Sequence, residues 1–147
     1  MSAKTTPILA IALAAGALAA GCGDEETDPK EEYIAQGDEI CALGTFEVGN
    51  KARARYGKPF PPPEQASQFA RQVIAPTLQR EVVVKLRQLT PPEGDEQMVD
   101  AIYDELERAL ARLRSNPDLI TQPNTGGAFD EANMLARDYG FKQCGSG

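Results

Sequence analysis

Between Tyr56 and Pro63 the chain reads YGKPFPPP, and no other stretch limits its folding choices so sharply. Proline lacks an amide donor and its ring clashes with the preceding helical turn, so clustered prolines cannot stay helical and favour a polyproline II path. Helices must therefore stop before this block and restart after it. Upstream, Asp28, Pro29 and Glu31 supply an N-cap acid, a proline at the first helical position and an acid within the first turn. They predict a first helix over 29–56. Its apolar residues, Tyr33, Ile34, Ile40, Cys41 and Val48, are sparse, and Gly37, Gly44 and Gly49 each weaken a helix by up to about 1 kcal/mol relative to Ala. A bend or break is expected near Gly44.

Downstream of the block, Phe69, Val73, Leu78, Val82, Leu86 and Leu89 recur at helical spacing. This is the signature of a long helix with one buried stripe. Pro76 falls inside it, where a kink is expected. In TPPEGDEQ (90–97), Thr90 and Glu93 have capping-box spacing with Pro91 between them, predicting the start of a third helix. Val99, Ile102, Leu106, Leu110 and Leu113 form its apolar stripe; Asp104, Glu105 and Arg108 read as a solvated outer face. After a loop with one helical turn behind Pro117, a last helix over 128–139 carries Phe129, Ala132, Leu135 and Tyr139, with Gly140 at its C-cap. No segment reads as a sheet. The expected fold is all-α, an antiparallel bundle of about four helices over 29–147 with its second long helix kinked at Pro76.

The first 28 residues have a different organisation. Ile8 to Ala20 is 13 apolar or glycine residues behind a single cation, Lys4. A spanning helix needs roughly 20 apolar residues, so the run has the length of a cleaved export signal. Its end, LAAGC (18–22), resembles the bacterial lipobox, after which the signal is cut and the cysteine becomes a lipidated first residue. Ala19 stands where leucine is favoured, with Leu18 one residue earlier. The resemblance implies a signal peptide over 1–21, acylation of Cys22, an acidic tether over 22–28, and residence on the outer face of the cell membrane. A single myristoyl-length chain binds only marginally, at about 10⁴ M⁻¹, whereas several acyl chains make a stable anchor. The other reading is an ordinary signal peptide with an incidental cysteine.

The chain has three cysteines, Cys22, Cys41 and Cys144. An odd number in an exported protein leaves one thiol to account for. If Cys22 carries lipid, Cys41 and Cys144 remain as a disulfide pair suited to an oxidising compartment. A metal site or a reactive thiol is the alternative, although the chain has no Cys-x-x-Cys and no histidine to complete a zinc set. Behind the lipobox, YIAQGDEIC (33–41), PPEGDE (91–96) and YGFKQCG (139–145) resemble small exported helical lipoproteins of actinobacteria. That resemblance implies an envelope location and the paired cysteines, and it brings no catalytic residues.

The chain carries few groups suited to catalysis. Without histidine there is no Ser-His-Asp or Cys-His arrangement, and no serine sits in a Gly-x-Ser-x-Gly elbow. Phosphate-cradling loops and the acidic ladder of an EF-hand are missing, and no metal or cofactor is expected. Net charge is −7, or −8 from Cys22 onward because Lys4 is the only charge before it. This balance disfavours nucleic acid as a partner. The local exception is KARARYGK, where Lys51, Arg55 and Lys58 are expected on one helical face with Arg53 turned away. This candidate basic contact patch could meet anionic headgroups or an acidic partner, or simply complement the helix C-terminal dipole. Tyr56 and Phe60 beside the prolines are either a recognition surface or filler between helices. The function expected is a non-enzymatic, lipid-anchored envelope protein acting as a binding or structural module toward an envelope protein or ligand. The alternatives are a ligand-capturing lipoprotein serving a transporter and an envelope hydrolase using paired carboxylates.

Overall fold

A computed structural model describes residues 28–122 and 127–146, all in helices, turns and connections. Helix α1 (Pro29–Tyr56) starts where the capping signal places it: the Asp28 carboxylate accepts from the Lys30 amide at 2.9 Å, and Pro29 occupies the first turn. It ends at Gly57, whose φ of 72° is left-handed and returns the Gly57 amide to the Arg53 carbonyl at 2.8 Å. No break occurs at Gly44. The helix is continuous, and Gly37 and Gly44 are buried because other elements press against them.

A short 3₁₀ turn (Pro63–Gln65) leads into α2, which covers 66–86 as a relay of α-helical and π-helical pieces. The π-turns are Ala70–Ile74 and Gln79–Val83, and they flank Ala75–Leu78, which carries Pro76 in its first turn. The Ala75 and Val84 amides reach five residues back, to the carbonyls of Ala70 and Gln79. The interruption predicted at Pro76 is thus distributed over two widened turns, which make room for a ring that an unbroken α-helix would exclude.

The capping box expected at Thr90 and Glu93 is not used. Gly94, at φ 91°, turns the chain, and α3 begins only at Glu96, with Asp95 as its N-cap residue (Glu96–Ser115). The carboxylate of Glu96 accepts from the Gly94 amide at 2.9 Å. A 3₁₀ turn follows Pro117 (Pro117–Thr121), and α4 spans Asp130–Tyr139, two residues shorter at its start than predicted.

The contacts between ends show that neighbours run antiparallel. Tyr56 at the end of α1 stacks on Phe69 near the start of α2, with ring centroids 5.7 Å apart. Arg87, just past α2, bonds Asp104 (2.6 Å) and Glu107 (2.9 Å) near the middle of α3, while the Ser67 hydroxyl, near the start of α2, donates to Asp118 beyond the end of α3 at 2.5 Å. Tyr139 at the end of α4 reaches Asp95 at the start of α3, at 2.8 Å. One core cluster gathers Tyr33, Cys41, Leu86, Ile102 and Phe141; a second, toward the other end, gathers Ala70, Val83, Leu110 and Leu113. Leu78 and Leu106 pack against both.

Candidate functional site

The C-terminal segment folds back across one turn of α1. Gly140, at φ 123°, ends α4, and the Phe141 amide bonds the Ala136 carbonyl at 2.9 Å. Phe141 then lies on Gly37 so closely that a β-carbon there would stand 2.5 Å from its ring. One residue on, the Asp38 carboxylate accepts from three consecutive amides, those of Lys142 (2.9 Å), Gln143 (2.7 Å) and Cys144 (3.1 Å). Cys144 is joined to Cys41, one turn further along α1, by a disulfide across a sequence separation of 103. The expected pair is therefore formed, and it sits among contacts that fix the tail even before the covalent bond is counted.

Beside the disulfide the bundle encloses a cavity of about 220 Å³. Its floor is the apolar cluster of Val82, Leu86, Ile102, Ala136 and Phe141. Exposed Thr45, Gln143 and Ser146, with half-buried Asn133, form the mouth. Among the described residues that line it, none is charged. The cavity exists because α4 presents small side chains inward. Its buried positions are Ala132, Ala136 and Tyr139, with buried Ala128 two residues before its start, whereas Leu135, expected on this face, is only half-buried. Only the recurring alanines four apart could have hinted at this in the sequence.

The polar groups of the interior are committed elsewhere. Tyr103 contributes its ring to the cavity wall, while its hydroxyl pairs with that of Tyr33, and burial pushes both phenols above their ordinary pKa. Tyr139 is raised by burial and by donating to Asp95. That hydrogen bond, with Lys30 at 3.4 Å, holds the Asp95 carboxyl below its usual range. Glu105 overturns one sequence expectation: it is 2 % exposed rather than part of a solvated face. Burial alone would raise its pKa, yet Arg112 (2.8 Å) and Arg108 (2.7 Å) outweigh it and hold the carboxyl low. Arg112 also donates to the Ala128 carbonyl at 3.1 Å, so the cluster ties α3 to the start of α4. Asp104, on the neighbouring position, pairs with Arg87 at 2.6 Å.

Lys51 and Arg55, four apart in α1, keep one helical face. Lys51 is paired with Glu47 at 2.7 Å, Arg53 bonds Asn50 at 2.9 Å, and Arg55 lies over the Tyr56 ring at 5.4 Å. Lys58 leaves the helical face altogether, because Gly57 has already turned the chain. Of the two aromatics, Tyr56 fills the gap against Phe69, while Phe60 stands 73 % exposed. The export signal and Cys22 lie outside the described residues; within those residues no helix is long and apolar enough to cross a membrane.

No protein-family model, no curated protein and no solved structure matches the chain.

Proposed function

We propose that this chain is a non-enzymatic, lipid-anchored binding module of the cell envelope, held at the outer face of the membrane through acylated Cys22. The observation that carries the binding part is the disulfide-walled cavity, apolar at its floor and lined by no charged side chain among the described residues. A hydrolase using paired carboxylates needs acids converging on a hollow. Here the buried carboxylate, Glu105, is instead engaged by two guanidinium groups. The same cavity favours small-ligand capture over a purely structural role.

The anchor rests on the lipobox resemblance and on cysteine parity, since the Cys41–Cys144 bridge leaves Cys22 over. The tether from Cys22 to Asp28 reaches at most about 20 Å, and α1 then extends about 42 Å, its 28 residues rising about 1.5 Å each. The basic residues near Tyr56 can therefore meet headgroups only if α1 lies along the membrane or slopes its far end back toward it. An acidic envelope partner can meet them in any orientation. Mass spectrometry of the membrane fraction tests the anchor: Cys22 is expected as an acylated first residue, and an intact chain beginning at unmodified Met1 refutes it.

A further inference from the structure

From its walls, we infer that the cavity between α1, α2, α3 and α4 is a binding site for a small neutral amphiphile. Such a ligand has an apolar body of about six carbons, as a short chain or one ring, and an uncharged hydrogen-bonding head. This inference deepens the binding reading above and does not depend on the anchor.

Size sets the first limit. Apolar cavities of about 150 Å³ hold benzene, and pockets for drug-sized molecules begin near 300 Å³. A volume of about 220 Å³ lies between them. Chemistry sets the second. The floor offers Val82, Leu86 and Ile102, and the one phenol in the wall, Tyr103, already bonds Tyr33. A polar group at that depth would be desolvated without a partner. Hydrogen-bonding groups occur at the mouth, where Thr45, Asn133 and Gln143 present a hydroxyl and two amides, so the head belongs there. Charge sets the third limit. Among the described lining residues no cation would pair with a carboxylate and no acid with an ammonium, and the −8 carried from Cys22 onward further opposes an anion. Anionic heads are disfavoured.

The test uses the full chain with Cys22→Ala, oxidised and purified without detergent, titrated with 1-butanol, 1-hexanol and sodium hexanoate and followed by methyl resonances. Saturable 1-hexanol binding is expected, shifting Val82, Leu86 and Ile102 and leaving Leu119 and Ile120 of the other cluster unmoved. Each buried methylene should tighten binding roughly fourfold, making 1-butanol about fifteenfold weaker than 1-hexanol. Hexanoate at pH 7 should bind at least about fivefold more weakly than 1-hexanol. Ala132→Leu, which fills the cavity from α4, should abolish binding without lowering Tm. If that variant fails to fold, the resonance pattern of the parent chain decides alone. Unsaturable shifts, or shifts centred on Leu119, overturn the site, and equal binding of hexanoate overturns the neutral class. Loss of this binding with Cys22 still acylated in cells would remove the site and leave the anchor standing.

Discussion

Two glycines in the same helix should respond in opposite directions to the same substitution. In an exposed helical interior, Gly→Ala stabilises by about 1 kcal/mol, because alanine loses less backbone freedom on folding. Gly49→Ala should follow this rule, since the nearest atom to an added β-carbon is Arg53 Nη1 at 3.6 Å, an ordinary contact. At Gly44 the β-carbon would land on Val82 Cγ2 and stand 3.7 Å from Leu78 Cδ2. Val82 is only 5 % exposed and belongs to the core cluster, so it cannot swing into solvent. Overpacking costs about 1–3 kcal/mol, and an overlap with a buried side chain that cannot move aside takes the upper part of that range, about 2–3 kcal/mol, which exceeds the propensity gain. Gly44→Ala is therefore expected to destabilise by about 1–2 kcal/mol, and the two variants should differ by about 2–3 kcal/mol. At about 3–5 °C per kcal/mol for a domain of this size, their melting temperatures should separate by roughly 10 °C. Val82→Ala alone should cost about 2 kcal/mol, but combined with Gly44→Ala it should cost at least about 1 kcal/mol less than the sum, because it removes the atom in the way. Thermal melts and urea titrations of the four variants measure this. If Gly44→Ala raises Tm as Gly49→Ala does, or if the pair is additive, the close approach of α1 and α2 is wrong.

Cys41→Ser should destabilise the oxidised protein by about 2–5 kcal/mol, because the bridge closes a long loop; an unchanged denaturation midpoint would show that the tail is held by its other contacts alone. Asp38→Ala removes an acceptor for three amides and should cost about 2–3 kcal/mol, with faster hydrogen exchange at Lys142, Gln143 and Cys144 than elsewhere in the bundle. The lowered pKa of Glu105 stabilises the fold fully above the unfolded-state pKa, near 4.3, and that contribution is lost as pH falls through the folded value. Stability of the parent should thus fall more steeply below about pH 4.5 than that of Glu105→Gln, and parallel acid unfolding curves would refute the role.

Much of the chain was legible because local signals carried it. Asp28 and Pro29 start α1, the stripe from Val99 to Leu113 marks α3, and Gly140 ends α4; each depends on neighbours within a turn or two. Where the structure departs from the sequence reading, either an adjacent residue or a distant element decided. Thr90 and Glu93 have the spacing of a cap, but Gly94 redirects the chain before a helix can begin there. Glu105 has the spacing of a solvated residue, but it is buried and engaged by Arg108 and Arg112, and Arg112 reaches across to the Ala128 carbonyl just before α4. The inward face of α1, running Tyr33, Gly37, Cys41, Gly44 and Ala52, was invisible as a stripe because two of its members are glycines. Glycine registers in sequence only as lost helical propensity.

By itself the sequence determined the helical class, the breaks at the proline blocks, the parity of the cysteines and the expectation of an anchored envelope protein, because backbone chemistry, helical period and residue counts do not depend on the fold. Tertiary structure decided which glycines are contacts, where the buried acid lies, and that a cavity exists at all. A cavity is volume left between elements. It depends on how closely α1 and α2 approach, on the small face of α4 and on the tail that Asp38 and the disulfide hold in place, and no single segment carries that information.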